Sequence, residues 1–452
     1  MDVTKLLELC DELVASARRG GADEAEAVAG STRHVQTALE NDDVHTAHVN
    51  EETTFGLRVL VRGSLGFVTA NRLDRESLRD CVDEAIAQAR VMPTDPFNGL
   101  PVSGTPAEVP GLWDDAVAAV TVEDTATRAV ELMERVKGVD SRVRVDSGSV
   151  SAGTHRGALV SSVGTRVTEC STSIDAHLFG MAVDGDEVAS FDYDGESSRA
   201  FHGFEAKVGE LGERFARKCL FGLGAERARS YKGLVLLSPE AVAEFVLPSL
   251  TSVMAADAVR KGRSPLASKL GEAIATSSFT LIDDPTRAGG VGSTATDREG
   301  VPTRRLTLVE RGVLQSFLFN HYEARALGNG AHSTGHASGS ASTLPGIATM
   351  QLELVAGSTP LAKLRDGGSA PIVYVGRFSG STNAVTGDFS GVVKNGSLIE
   401  RGKETAIKET TIAGNLYELL RSIVGVSTER RAVNGVTTSP SLLIDGISVT
   451  AG

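Results

Sequence analysis

The chain has 452 residues, too many for one ordinary hydrophobic core, so two domains are the first expectation. Hydrophobic residues make up 41% and charged residues 23%, the balance of a globular protein, and a net charge of −13 spread along the chain disfavours nucleic acid as a partner. No apolar run approaches the roughly 20 residues that cross a bilayer, no basic segment precedes an apolar one at the start, and Cys10, Cys81, Cys170 and Cys219 lack paired spacing; a reduced, cytoplasmic protein without membrane contact is expected.

In chain order, residues 2–19 place Val3, Leu6, Leu7, Cys10, Leu13 and Val14 on one face at helical spacing, and Gly20 and Gly21 end that helix. Alternating stretches follow to residue 70, with residues 55–62 and 65–70 reading as a hairpin that turns at Gly63 and Ser64. Residues 73–91 return to helix, with Leu78, Cys81, Val82, Ala85, Ile86 and Ala89 facing inward. Pro93, Pro96, Pro101, Pro106 and Pro110 mark a long loop. A helix over 122–136, strands over 142–193 and a helix over 200–220 complete the first half. Residues 56–90 and 173–218 share the order strand, turn, strand, helix, a weak internal repeat that any α+β domain can also produce.

Beyond residue 224 the character changes. Residues 230–237 form an apolar strand, and residues 239–253 a helix capped by Ser238 with Pro239 in its first position. The remainder is rich in Gly, Ser, Thr and Val. The fold class expected is α+β: an N-terminal α/β domain of strand–strand–helix units over 1–225, and a C-terminal β-rich domain with long glycine-rich loops over 226–452.

Motifs with chemistry are sparse. His332 and His336 have the i, i+4 spacing of a zinc helix, but the glycines of 328–339 each cost about 1 kcal/mol in a helix, and no Glu follows His332 as a base. A polar surface loop is the expectation there. His45 and His48 fall on opposite faces of a strand. Residues 376–380 match G-x-S-x-G without a helix after them, and the glycine-rich stretches 288–293 and 328–339 lack the Lys-Ser/Thr of a phosphate loop. Glycine lets another backbone come close, so a ligand groove near these loops is expected.

The C-terminal half also carries an ordered series of phrases: VLLSPEAVAE (235–244), KGRS (261–264), IDDP (282–285), TDREGVPT (296–303), STG (333–335), TGDFS (386–390), IERG (399–402) and TIAGN (411–415). Together they resemble the TldD/PmbA family, modulators of DNA gyrase and a family of metallopeptidases. The resemblance implies two-subunit assemblies in which only the TldD-type subunit binds zinc, through H-E-x-x-x-H on a helix and a cysteine near the C-terminus, with the Glu as base. On the matching helix the first His position is Pro239, the base position keeps Glu240 and the second His position is Glu244; no cysteine follows Cys219, and the matching late region is 427–436.

That pattern resembles the PmbA (TldE) branch. It implies no catalytic residue and no cofactor in this chain, zinc in a TldD-like partner, and peptides as substrates of the heterodimer. The loops 288–293, 328–339 and 376–391 are then candidates for a cavity wall, with Asp297, Glu299, His336, Asn383, Asp388 and Ser390 as candidate peptide or partner contacts. Asp297 and Asp388 also read as turn residues that bond their own backbone. Two other functions stay open at this point: a self-sufficient metal-dependent hydrolase built on His332 and His336, and a peptide-binding scaffold without hydrolysis.

Overall fold

The structure is a computed structural model and describes residues 1–367 and 370–452. It is an α+β fold, and its N-terminal half is built twice from one plan. The first unit runs α1 (Val3–Arg19), β1 (Glu24–Glu40), β2 (Asp43–Val61), β3 (Ser64–Ala70) and α2 (Arg75–Val91). The second runs α3 (Val122–Val139), β4 (Val143–Ser161), β5 (Arg166–Asp184), β6 (Asp192–Ser198) and α4 (Phe204–Phe221). The units meet at the antiparallel β1–β4 pair, giving a seven-stranded sheet ordered β3-β2-β1-β4-β5, with β6 and the short strand Glu187–Val188 both on β5. The repeat expected from sequence is therefore present in the topology.

Local chemistry sets these elements. Asp74 accepts from the Ser77 N–H at 2.9 Å to open α2, and all six inward residues expected of that helix are buried. Thr121 and Asp124 form a reciprocal capping box at the start of α3. The hairpin turn falls one residue earlier than expected: Arg62 and Gly63 both take positive φ (54° and 78°), and Ser64 already pairs with Val61. Two positive-φ residues match the twist of the flanking strands, which a Gly63-Ser64 turn does not supply. Odd-numbered residues of β1 (Ala25, Ala27, Ala29, Leu39) pack under the helices, so even-numbered ones face away from them.

Among the described residues, the C-terminal half holds a fourteen-stranded sheet, a separate two-stranded one (Ala337–Ser338 with Gly346–Ile347) and short helices. Its hub is the long last strand, Thr437–Ala451, which pairs with Tyr231–Leu237, Ile423–Val433, Thr410–Asn415 and Leu352–Leu354. One large apolar cluster fills this half, including the rings of Phe245, Phe378 and Phe389. The helix opened by Ser238 and Pro239 differs from expectation: after Pro239–Ala241 it widens into a π turn, Val242–Val246, before Leu247–Met254. Pro248 lies just beyond, where it has no N–H to return to the preceding turn.

The proline-marked loop runs between the halves as a strap. Ala107 N–H donates to Ala295 O at 3.1 Å, Gly289 N–H to Pro110 O at 2.9 Å, and Tyr322 Oη to Asp95 Oδ2 at 2.7 Å.

Gly66 on β3 tests how closely α2 presses on the sheet. A Cβ there falls 1.9 Å from Ala85 O and 2.9 Å from Ala89 N. Gly66→Ala is expected to cost about 1–3 kcal/mol, read as a lower urea midpoint at unchanged slope. An unchanged midpoint would show that helix and strand have room between them.

Candidate functional site

The helix at Pro239 faces β6 and α4 of the other half across a dense charge network. Asp192, Asp194 and Glu196 stand at every second position of β6 and share one face. Asp194 accepts from Arg214 Nε at 2.8 Å, lies 2.9 Å from Lys218 Nζ, and bonds Arg431. Arg431 also bonds Glu240, which lies 3.4 Å from Lys218 Nζ. Arg377 bonds Asp192 Oδ1 at 3.2 Å, stacks 3.6 Å over the Tyr193 ring and lies 3.8 Å from Glu244, which accepts from the Tyr193 hydroxyl.

Burial raises the pKa of Asp194 and Glu240, but the cations outweigh it and hold both below the ordinary carboxylate range; for Asp194 the cations are Arg214, Lys218 and Arg431, and for Glu240 they are Lys218 and Arg431. Glu244, with one cation close by, and Asp192, where Lys218 and Arg377 do not outweigh the desolvation, are pushed up by burial.

A second buried network sits between β1, β2 and the segment holding Asp297. Arg58 bonds Glu26 at 2.8 Å and Glu299 at 3.3 Å, Arg298 reaches Glu26 at 3.2 Å, and Glu299 accepts the His321 N–H at 2.8 Å. Glu26 and Glu299 are each 1% exposed. Glu299 is thus a buried ion-pair residue rather than a cavity-wall contact.

Beside this network a cavity of about 610 Å³ lies between the sheet and the C-terminal loops. Its floor is Gly30 and Thr32 of β1, Glu52 and Thr54 of β2, and His155 and Glu169 of β4 and β5; its roof includes Gly292, Ser293, Asp297 and 337–342. Two of the three expected wall loops, 288–293 and 328–339, meet here. Arg199 ties the first of them to the sheet, donating to Gly290 O and Ser293 O at 3.2 Å and to Thr172 O at 3.0 Å. Asp297 takes the turn role: it accepts N–H bonds from Glu299, Val301 and Ala337 at 2.9–3.0 Å, while burial and neighbouring Glu299 push its pKa up to about 7.

The third loop lies elsewhere. Asn383, Asp388 and Ser390 are exposed on the hairpin of Arg377–Thr382 and Asp388–Lys394, where Asn383 accepts from Val385 N–H and Asp388 bonds Thr386 and Asn415. They do not join Asp297 at the cavity. Ser379 of the G-x-S-x-G match is an exposed strand residue.

The 328–339 loop corrects the sequence reading. His332 is exposed as expected of a surface loop, but His336 is 0% exposed, with Nδ1 3.0 Å from Thr334 O and Nε2 3.1 Å from Asp283 Oδ2. Asp283 also accepts the Met350 and Gln351 N–H groups at 2.8 and 2.7 Å. The polar ring is sealed inside because its partners are buried with it. His332 and His336 therefore do not converge on one point.

The chain is thus a two-lobed α+β fold with an interlobe cavity, in which a proline-started helix faces a strand of carboxylates. Residues 230–451 match the PmbA/TldA metallopeptidase C-terminal domain, and residues 25–89 match PmbA/TldA metallopeptidase domain 1. The chain belongs to the PmbA/TldD family. It is 27% identical to an uncharacterized protein of Methanocaldococcus jannaschii over 99% of both chains. It is 26% identical to metalloprotease PmbA of Escherichia coli O157:H7 over 94% of this chain and 92% of that one. TldE from Thermococcus kodakarensis superposes with a TM-score of 0.90 at 22% identity, covering 98% of this chain and 100% of that one, which shows a shared fold.

The donor set at the helix does not fit the metal the family name implies. Pro239 offers no ligand atom, Glu240 is turned onto Lys218 and Arg431, and Glu244 onto Tyr193. Arg431, a cation, is bonded to Glu240 on the helix. Among the described residues, no group of three or more His, Cys, Asp or Glu is arranged to hold a metal ion.

Because Asp194 and Glu240 have lowered pKa values, their stabilisation is complete above the ordinary carboxylate pKa of about 4 and is lost as pH falls through their folded values. Asp194→Ala, which removes the carboxylate that Arg214, Lys218 and Arg431 share and leaves them only Glu196 and Glu240, is expected to cost about 3–5 kcal/mol. Asp194→Asn should flatten the acid limb of the stability–pH curve. An acid limb identical to that of the parent chain would place the acid sensitivity elsewhere.

Proposed function

We propose that the chain is a non-catalytic, TldE/PmbA-like subunit of a heterodimeric zinc metallopeptidase that processes or degrades peptides, closing the substrate cavity over a zinc-bearing, TldD-like partner. The observation that carries this reading is the helix at Pro239, whose two histidine positions hold a proline and a glutamate and whose carboxylates are engaged by Arg431, Lys218, Arg377 and Tyr193. A guanidinium bonded to Glu240 competes with any cation for the same oxygen. The likeness to TldE supports the same reading.

The chain's own contribution is then shape and backbone. The interlobe cavity supplies a floor of strand and a roof of glycine-bearing loops that admit an extended chain. We read the two halves as domains over 1–225 and 226–452, a division supported by apolar clusters that do not cross it. A cytoplasmic setting is supported by four free cysteines, and no helix among the described residues is long and apolar enough to cross a membrane.

The isolated chain is expected to hold far less than one zinc per molecule by elemental analysis and to cleave no peptide. Co-purified with a TldD-like subunit, it should support peptide hydrolysis that a chelator abolishes. One tightly bound zinc per isolated chain, or hydrolysis by that chain lost in His336→Ala, would overturn the proposal.

A further inference from the structure

The charge network at the Pro239 helix divides unevenly. Arg214, Lys218 and Arg431 share Asp194, Glu196 and Glu240, three cations to three carboxylates. Asp192 and Glu244 share Arg377 alone within ion-pair distance, so among the described residues one negative charge has no counter-ion. Glu244 also accepts from the Tyr193 hydroxyl. Asp192 Oδ1 accepts the Tyr193 N–H at 2.8 Å and Arg377 Nη1 at 3.2 Å, but Oδ2 is buried and bonds no described protein group. Such an oxygen is costly to bury unless a donor meets it.

Asp192 also lines a second cavity, of about 700 Å³, walled by the end of α4, the turn before β6 and the strands Asp388–Lys394 and Lys403–Lys408. Its size is in the range of about 300–1,000 Å³ that small-molecule sites occupy. Asp192 is 1% exposed and stands at the inner end, whereas Lys394 is half-buried and Lys408 exposed. Among the described residues neither lysine has a carboxylate within ion-pair distance, and Lys394 donates only to Ser190 Oγ at 3.3 Å. The other charges of the wall are mostly engaged. Lys218 is held by Asp194 and Glu240, Glu187 by the Gly224 N–H at 2.6 Å and Glu409 by Arg227 at 2.6 Å, which leaves Asp186 in the exposed turn. Val188 and Phe221 add exposed apolar surface. The cavity thus joins a buried carboxylate short of a cation to two free ammonium groups and an apolar wall.

We propose that this cavity binds a dipeptide with free ends and apolar side chains, whose α-ammonium pairs with the Asp192 carboxylate and whose α-carboxylate is taken by Lys394 and Lys408. The ammonium supplies the absent positive charge and the absent donor in one group, and the carboxylate answers the lysines. A simple cation leaves the lysines unanswered, and a simple anion leaves Asp192 so. The inference goes beyond the reading of the chain as a metallopeptidase subunit and does not depend on it, because the site lies wholly within this chain.

The test is calorimetric titration of the full chain with Leu-Leu, with its N-acetylated form and with its C-terminal amide. Leu-Leu should bind, and acetylation should weaken binding about tenfold, as loss of a charged hydrogen bond does. Asp192→Asn should weaken Leu-Leu to the level of the acetylated peptide. The paired substitution Lys394→Gln and Lys408→Gln should remove the preference for the free acid over the amide at unchanged melting temperature, and it keeps the test open if Asp192→Asn does not fold. No binding of Leu-Leu, equal binding of the acetylated peptide, or an acid-over-amide preference that survives loss of both lysines would each overturn the site.

Discussion

The two halves of this chain are joined by buried charges whose partners lie on opposite sides of the seam. Glu26 and Arg58 pair with each other within the N-terminal sheet, and Arg298 and Glu299 of the C-terminal half give each a second partner across the seam. Asp194 and Lys218 stand in the same relation to Arg431 and Glu240. An ion taken out of water loses several kcal/mol of hydration unless a counter-ion is waiting. Docking the halves out of register would bury these charges without their counter-ions, so the seam is specific in register even where it is not strongly stabilising.

This constraint explains the state of the Pro239 helix. Its carboxylates lie at the second seam, and the neighbouring cations from α4, from Arg377–Thr382 and from Ile423–Val433 neutralise them. The carboxylates of Glu240 and Glu244 here hold the lobes together. Structural service and metal ligation compete for one set of oxygens, and the arginines decide which is available.

Much of the fold was legible in the sequence because it obeys local rules. Helix periodicity gave α2 residue for residue, and the shared order of 56–90 and 173–218 was a true echo of the duplicated unit. Alternating stretches were legible as far as residue 70, with His45 and His48 on opposite faces of a strand, but the continuity of 43–61 as one strand was not. His336 was misplaced because loop-like composition says nothing about a buried acceptor arriving from residue 283, far away in sequence. Of the candidate contacts, Asp297 lines the interlobe cavity and takes the turn role, whereas Asn383, Asp388 and Ser390 belong to a separate hairpin. The ion-pair residues went unremarked, although Glu26 between Ala25 and Ala27, and Arg58 between Leu57 and Val59, are charges inside apolar strands. Such a charge is a signal that a counter-ion must come from elsewhere.

The duplicated plan also accounts for an asymmetry of the sheet: Thr172 at the edge of β5 bonds Leu112, whereas among the described residues no strand pairs with the outer edge of 43–54 in β2. Two equivalent units create two equivalent edges, and a covered edge needs a segment long enough to lie along it. The proline-marked strap ends at Leu112, beside β5, because its upstream residues are already fixed against the C-terminal half by Asp95, Ala107 and Pro110. No connection of similar length passes β2, since β2 turns into β3 through only Arg62 and Gly63. The opening of that edge thus follows from connectivity: a tight hairpin on one side and a long strap on the other.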